Sequence, residues 1–87
     1  MRLDKFLWYI RLVKTRASAQ KIAGEGHLRI DGRAVDRAHV DVRAGQVLTI
    51  PLNGRVKVLR VESLPARRGP PNEARSCYTD LSPPAAG

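Results

Sequence analysis

The chain is 87 residues long, with sixteen Lys/Arg against eight Asp/Glu and a formal charge of +8. That length allows one small domain, whose core buries only about 60–65% of the unfolded surface. So large a basic excess favours a polyanionic partner, with nucleic acid ahead of an anionic membrane. No apolar run approaches the roughly 20 residues of a spanning helix, and nothing resembles a cleavable leader, so a cytoplasmic protein with no membrane partner is expected.

Residues 3–13 show helical periodicity. At about 100° per residue, Leu3, Phe6, Leu7, Ile10 and Val13 fall within an arc of about 120° and form the candidate core stripe. Trp8 and Leu12 fall on nearly the opposite side. That second apolar patch needs its own cover, and the C-terminal tail folding back is favoured over a stacked RNA base. Thr15 is the natural N-cap of a second helix running to about Ala23, stopped by Gly24 and Gly26.

From His27 the period changes to that of strands. Residues 27–30 and 33–35 flank Asp31-Gly32, a pair that favours a type I′ hairpin. Val40–Val42 reads as a short extended piece, followed by strands over 47–52 and 55–61 around Asn53-Gly54. The predicted fold is α+β: two N-terminal helices packed on a small, mostly antiparallel sheet of four to five short strands. The domain is expected to occupy 1–64. Residues 65–87 hold Pro65, Pro70, Pro71, Pro83 and Pro84, which argue against a continuous helix or strand. An extended, partly docked tail is expected there, disordered from about Leu81.

No catalytic apparatus or phosphate-cradling glycine loop is visible, so neither an enzyme nor a small-molecule substrate is expected. The lone Cys77 forms no internal disulfide. His27 and His39 lack the further ligands a metal needs, and no metal or cofactor is expected.

The basic residues are unevenly spread. Nine of them, against four acids, lie in the first 37 residues, giving +5 of the total +8. Lys14, Thr15 and Arg16 stand at the start of the second helix, where free N–H groups and the positive dipole end favour a phosphate. Gln20 and Lys21 lie one turn on. Arg29, Arg33 and Arg37 extend the track along the hairpin, with Lys5 and Arg11 on the first helix as further candidates. Arginine suits the task because its planar fork grips two phosphate oxygens or stacks on an unpaired base.

The run Arg2-Leu3-Asp4-Lys5-Phe6-Leu7-Trp8, then Lys14-Thr15-Arg16, then Gly26 with Asp31-Gly32, resembles the RNA-binding domain first known from ribosomal protein S-four. Within that superfamily the chain is most similar to the fifteen-kilodalton ribosome-associated heat-shock family. The segment Arg67-Arg68-Gly69-Pro70, with Glu73-Ala74 and Tyr78, supports the narrower match. The resemblance spans roughly residues 1–80. It implies an RNA surface made by the two helices and the following hairpin, bringing that role to Lys14, Thr15, Arg16, Gln20, Lys21, His27, Arg29 and Arg33. It further implies a non-catalytic, stress-related protein, expected as a monomer, that binds rRNA and tRNA on the large ribosomal subunit. There it would help rescue or recycle stalled subunits carrying nascent chain-tRNA.

Three positions depart from the family pattern. Asp31 stands where Asn is common, His27 where lysine is usual, and the long lysine-rich C-terminal extension of larger relatives is missing. The alternatives are a short ribosome quality-control factor assisting nascent-chain tailing, or a regulatory RNA- or DNA-binding module. An RNA-docking appendage of a pseudouridine synthase or tyrosyl-tRNA synthetase is disfavoured, since such enzymes need a catalytic domain.

Overall fold

A computed structural model describes residues 1–82. Its elements run α1 (Leu3–Tyr9), α2 (Arg16–Gly24), β1 (Leu28–Ile30), β2 (Arg33–Val35), β3 (Val47–Leu52), β4 (Arg55–Val61), α3 (Pro71–Arg75) and β5 (Tyr78–Asp80). The strands form one antiparallel sheet in the order β2-β1-β3-β4-β5. This is the expected α+β architecture.

Leu3, Phe6, Leu7, Ile10 and Val13 are all buried, and Leu28, Ile30, Leu48, Ile50, Leu59 and Val61 complete the core from the sheet. The helix itself ends at Tyr9, four residues short of the predicted end at 13. Arg11 turns left-handed, at φ 63°, and two hydrogen bonds close the end: Arg11 N to Trp8 O and Leu12 N to Leu7 O. This is a Schellman cap built on arginine instead of glycine. It reverses the chain while Val13 still reaches the core, so the apolar period outlasts the helix.

The predicted type I′ turn at Asp31-Gly32 is present, and the Asn53-Gly54 hairpin turn has the same form. Asp31 and Gly32 have φ 50° and 82° between the paired Ile30 and Arg33, and Asn53 and Gly54 have φ 52° and 75° between Leu52 and Arg55. Asp31 also ties its hairpin to the sheet, since its Oδ1 accepts from Val47 N at 2.9 Å and its own N–H donates to Val47 O.

The stretch 40–42 makes only an isolated bridge, between Arg2 and Asp41. Its neighbourhood serves α1 instead: Leu3 N donates to Val40 O and Asp4 N to Ala38 O, so loop carbonyls satisfy the first amides of that helix.

The fifth strand comes from the tail, where no strand or helix was expected. Pro71 stands at the start of α3, where its missing N–H costs nothing. The next prolines are Pro83 and Pro84, which leaves 72–82 free to pair. Tyr78, Thr79 and Asp80 oppose Val61, Arg60 and Leu59, while Leu81 N and Ser82 Oγ hydrogen-bond to Val58. The disorder expected beyond Leu81 falls otherwise on 83–87, outside the described residues.

The tail also covers Trp8, as favoured from the sequence. The Arg68 guanidinium lies 5.4 Å from the indole centroid and donates to Trp8 O at 3.0 Å, and Arg11 Nε donates to Gly69 O at 2.5 Å. Among the described residues no helix is long and apolar enough to cross a membrane, and no three His, Cys, Asp or Glu side chains gather as a metal would need.

Candidate nucleic-acid interface

The two long helices present opposite situations at their N-termini. Loop carbonyls close that of α1, whereas that of α2 is open. Thr15 caps α2, its Oγ1 accepting from Ser18 N at 3.1 Å and donating to Ser18 Oγ at 2.9 Å. Among the described residues the Arg16 and Ala17 amides have no partner, and both residues are exposed. Such unpaired N–H groups, together with the helix dipole, favour an anion.

Lys14 and Arg16 are exposed at this end, Lys21 is exposed in the last turn of the same helix, and none of the three forms an ion pair among the described residues. Lys14, Ser18 and Lys21 line one side of a groove of about 610 Å³, and Pro51, Leu52 and Asn53 at the β3–β4 turn line the other. Leu12, Val13 and Ile22 give it an apolar floor, and Glu25 also borders it.

Gln20 points elsewhere. Its Nε2 donates to Asp4 Oδ2 at 3.4 Å, and Asp4 is fully buried. Arg2 grips the same carboxylate with both arms of its fork, Nε to Oδ1 at 3.0 Å and an Nη to Oδ2 at 2.9 Å, and the Lys5 amide adds a bond of 2.8 Å. Burial works to raise the Asp4 pKa, but the bonds from Arg2, the Lys5 amide and Gln20 outweigh it and hold the carboxyl below its usual value. Asp4 thus ties Arg2, which is half-exposed, and Gln20 of α2 to the start of α1.

The remaining candidates lie apart from the groove. Lys5 is half-buried on α1, and Arg11 is engaged by the Gly69 carbonyl. Arg29 projects from the exposed side of β1 and bonds Gly32 O at 3.1 Å. Arg33 borders a separate hollow of about 500 Å³ that also contains Asp31 and Asp41. Arg37 is exposed and 4.0 Å from Asp36, and His27 is exposed just before β1. The candidates therefore divide into a cluster at the start of α2 and a looser set along the first hairpin.

The sequence reading passed over Asp4, Ser18 and the β3–β4 turn. An acid inside the otherwise basic start of α1 is a signal for the first. The turn gives none, because the groove joins segments some thirty residues apart.

The small ribosomal subunit protein uS4 of Staphylococcus haemolyticus is 39% identical over 49 residues, which cover 56% of this chain and 24% of the relative. The chain thus spans about a quarter of the length of that relative. The match is nearly full-length with the RQC P-site tRNA stabilizing factor of Bacillus subtilis: 36% identity over 81 residues, covering 93% of this chain and 92% of the relative. Among solved structures, the trimeric Heat Shock Protein 15 of Vibrio cholerae superposes with a TM-score of 0.86 at 27% identity, covering 94% of this chain and 82% of that one. The S4 domain matches residues 1–48, which include α1, α2 and the first hairpin with the basic cluster between them, and the chain belongs to the S4 domain family.

Proposed function

We propose that this protein is a non-catalytic, cytoplasmic RNA-binding factor. It binds rRNA and tRNA on the large ribosomal subunit and acts on stalled subunits that carry nascent chain-tRNA. The observation that carries this reading is the unneutralised charge of Lys14 and Arg16 at the open end of α2, with Lys21 further along the same helix. Thr15, Lys5 and the first-hairpin residues His27, Arg29, Arg33 and Arg37 extend that surface, while Gln20 contributes through its bond to Asp4 and Arg11 through its hold on the tail. Structured RNA suits such a platform better than duplex DNA, which is commonly read by a helix laid in the major groove.

Two forms of this activity have separate support. Likeness to Heat Shock Protein 15 over nearly the whole fold supports the heat-shock-type reading, for which the sequence resemblance implies rescue and recycling of stalled subunits. The length-matched Bacillus subtilis relative favours a factor that steadies P-site tRNA during ribosome quality control.

The test is crosslinking of tagged protein in cells, with the attached RNA sequenced across a ribosome gradient. Crosslinks to large-subunit rRNA and tRNA in the free large-subunit fraction are expected. Crosslinks dominated by other RNAs would reduce the role to a general RNA-binding module. The solved neighbour is described as trimeric. We take one chain to be the binding unit, and an RNA-free sample sedimenting as a trimer would overturn that.

A further inference from the structure

Building on the RNA-binding reading, we propose that the groove between α2 and the β3–β4 turn is a pocket for one unpaired nucleotide of the bound RNA. Its phosphate sits at the Lys14–Ser18 end and its base lies over the apolar floor. A volume of about 610 Å³ falls within the usual range for small-ligand sites, roughly 300–1,000 Å³.

The lining has the two chemistries a nucleotide needs. Lys14 and Lys21 are cations that form no ion pair among the described residues, although Glu25 borders the same groove. Ser18 Oγ accepts from Thr15 and keeps its own proton for a ligand oxygen. Leu12, Ile22, Pro51 and Leu52 offer a surface for the flat face of a base. A bare phosphate would leave that surface in water, and a base held in a pair cannot reach it. A splayed, unstacked nucleotide uses both, which is how sequence-specific RNA recognition generally proceeds.

Glu25 fixes the direction. It is the C-cap of α2, at the opposite end of the helix from the Thr15 cap, and its carboxylate repels a phosphate while accepting from a base amino group or ribose hydroxyl. The phosphate therefore belongs at the Lys14 end. At the rim, the Asn53 amide supplies one donor group and one acceptor for a base edge. Asn53 has φ 52°, a conformation that Asp also tolerates, so Asn53→Asp keeps the turn while adding a negative charge at the groove.

The test uses two RNA stems of identical sequence, one fully paired and one carrying a single unpaired 2-aminopurine. The full chain should bind the bulged stem at least fivefold more tightly, with a rise in 2-aminopurine fluorescence as the base leaves the stack. Asn53→Asp should remove the preference by weakening the bulged stem more than the paired one, and Lys21→Gln, on an exposed position, should reduce it. Equal affinity for the two stems, or no fluorescence change on saturation, overturns the pocket and leaves the RNA-binding reading standing. An equal loss on both stems in Asn53→Asp also overturns it, since general repulsion then explains the effect. If neither stem binds, the RNA-binding reading falls and the pocket with it.

Discussion

In the C-terminal half of the protein, three of the six lysines and arginines have acids beside them. Lys57 pairs with Asp80 at 2.8 Å, Arg60 with Glu62 at 3.1 Å and Arg67 with Glu73 at 3.1 Å, and Thr79 also donates to Glu62. Around α2 the same residue types stand alone. The two regions differ in accounting more than in composition: one spends its charge holding β4, β5 and the tail together, and the other leaves it for a partner. Net charge alone points to a polyanion; the local pairing is what directs the proposed RNA contact to α2.

Asp4 should give the largest effect, because it lies inside the basic region yet does a structural job. Asp4→Ala leaves Arg2 and Gln20 without their buried acceptor and should cost about 2 kcal/mol, discounted because Arg2 is half-exposed. In a domain of this size that corresponds to a fall in Tm of roughly 10 °C, readable by calorimetry. An unchanged Tm would erase the distinction between this acid and the exposed ones.

Lys14→Ala with Arg16→Ala is the complementary experiment. RNA affinity should fall about tenfold, and the magnitude of the log–log salt slope should drop by roughly 2, with Tm unaffected. A filter-binding titration with an unchanged slope would move the RNA to the other half of the molecule. Arg68→Ala should cost about 1 kcal/mol by removing the cation held over Trp8, with RNA binding retained.

The smallest effect concerns acid. The bond from Lys57, with those from Ser82, lowers the Asp80 pKa to about 2, and Asp4 is also held down. Groups with depressed folded values stabilise the protein fully above their unfolded pKa of roughly 4 and lose that contribution as pH falls through the folded one. Thermal melts should therefore be flat above about pH 5 and decline between about pH 4 and 2. Lys57→Ala should change that decline only slightly, by less than ~1 kcal/mol, because the pair is partly exposed.

What the sequence made legible was local. Thr15 as a cap, both Asx-Gly turns and the core stripe from Leu3 to Val13 all depend on neighbours within a few residues, and each is found as expected. The early end of α1 was hidden because arginine is an uncommon residue for a left-handed cap, so nothing at Arg11 announces it. The closing strand was hidden by its prolines and by its partner, β4, nearly twenty residues away. The basic cluster could be read from spacing, but its separation from the Arg33 hollow and the groove wall at 51–53 depend on how the sheet folds back.

Cys77, the chain's one cysteine, lies at the junction of α3 and β5 with 5% of its surface exposed, and its carbonyl accepts from Glu62 N and Ser63 N. A thiol in that position is a built-in clock for the sheet edge. A soluble disulfide reagent reaches the sulfur only when β5 lifts from β4, so the labelling rate, divided by that of an open thiol, gives the fraction of time the edge stands open. Repeating the measurement on ribosomal subunits would show whether binding changes how often that edge opens, with no mutation introduced.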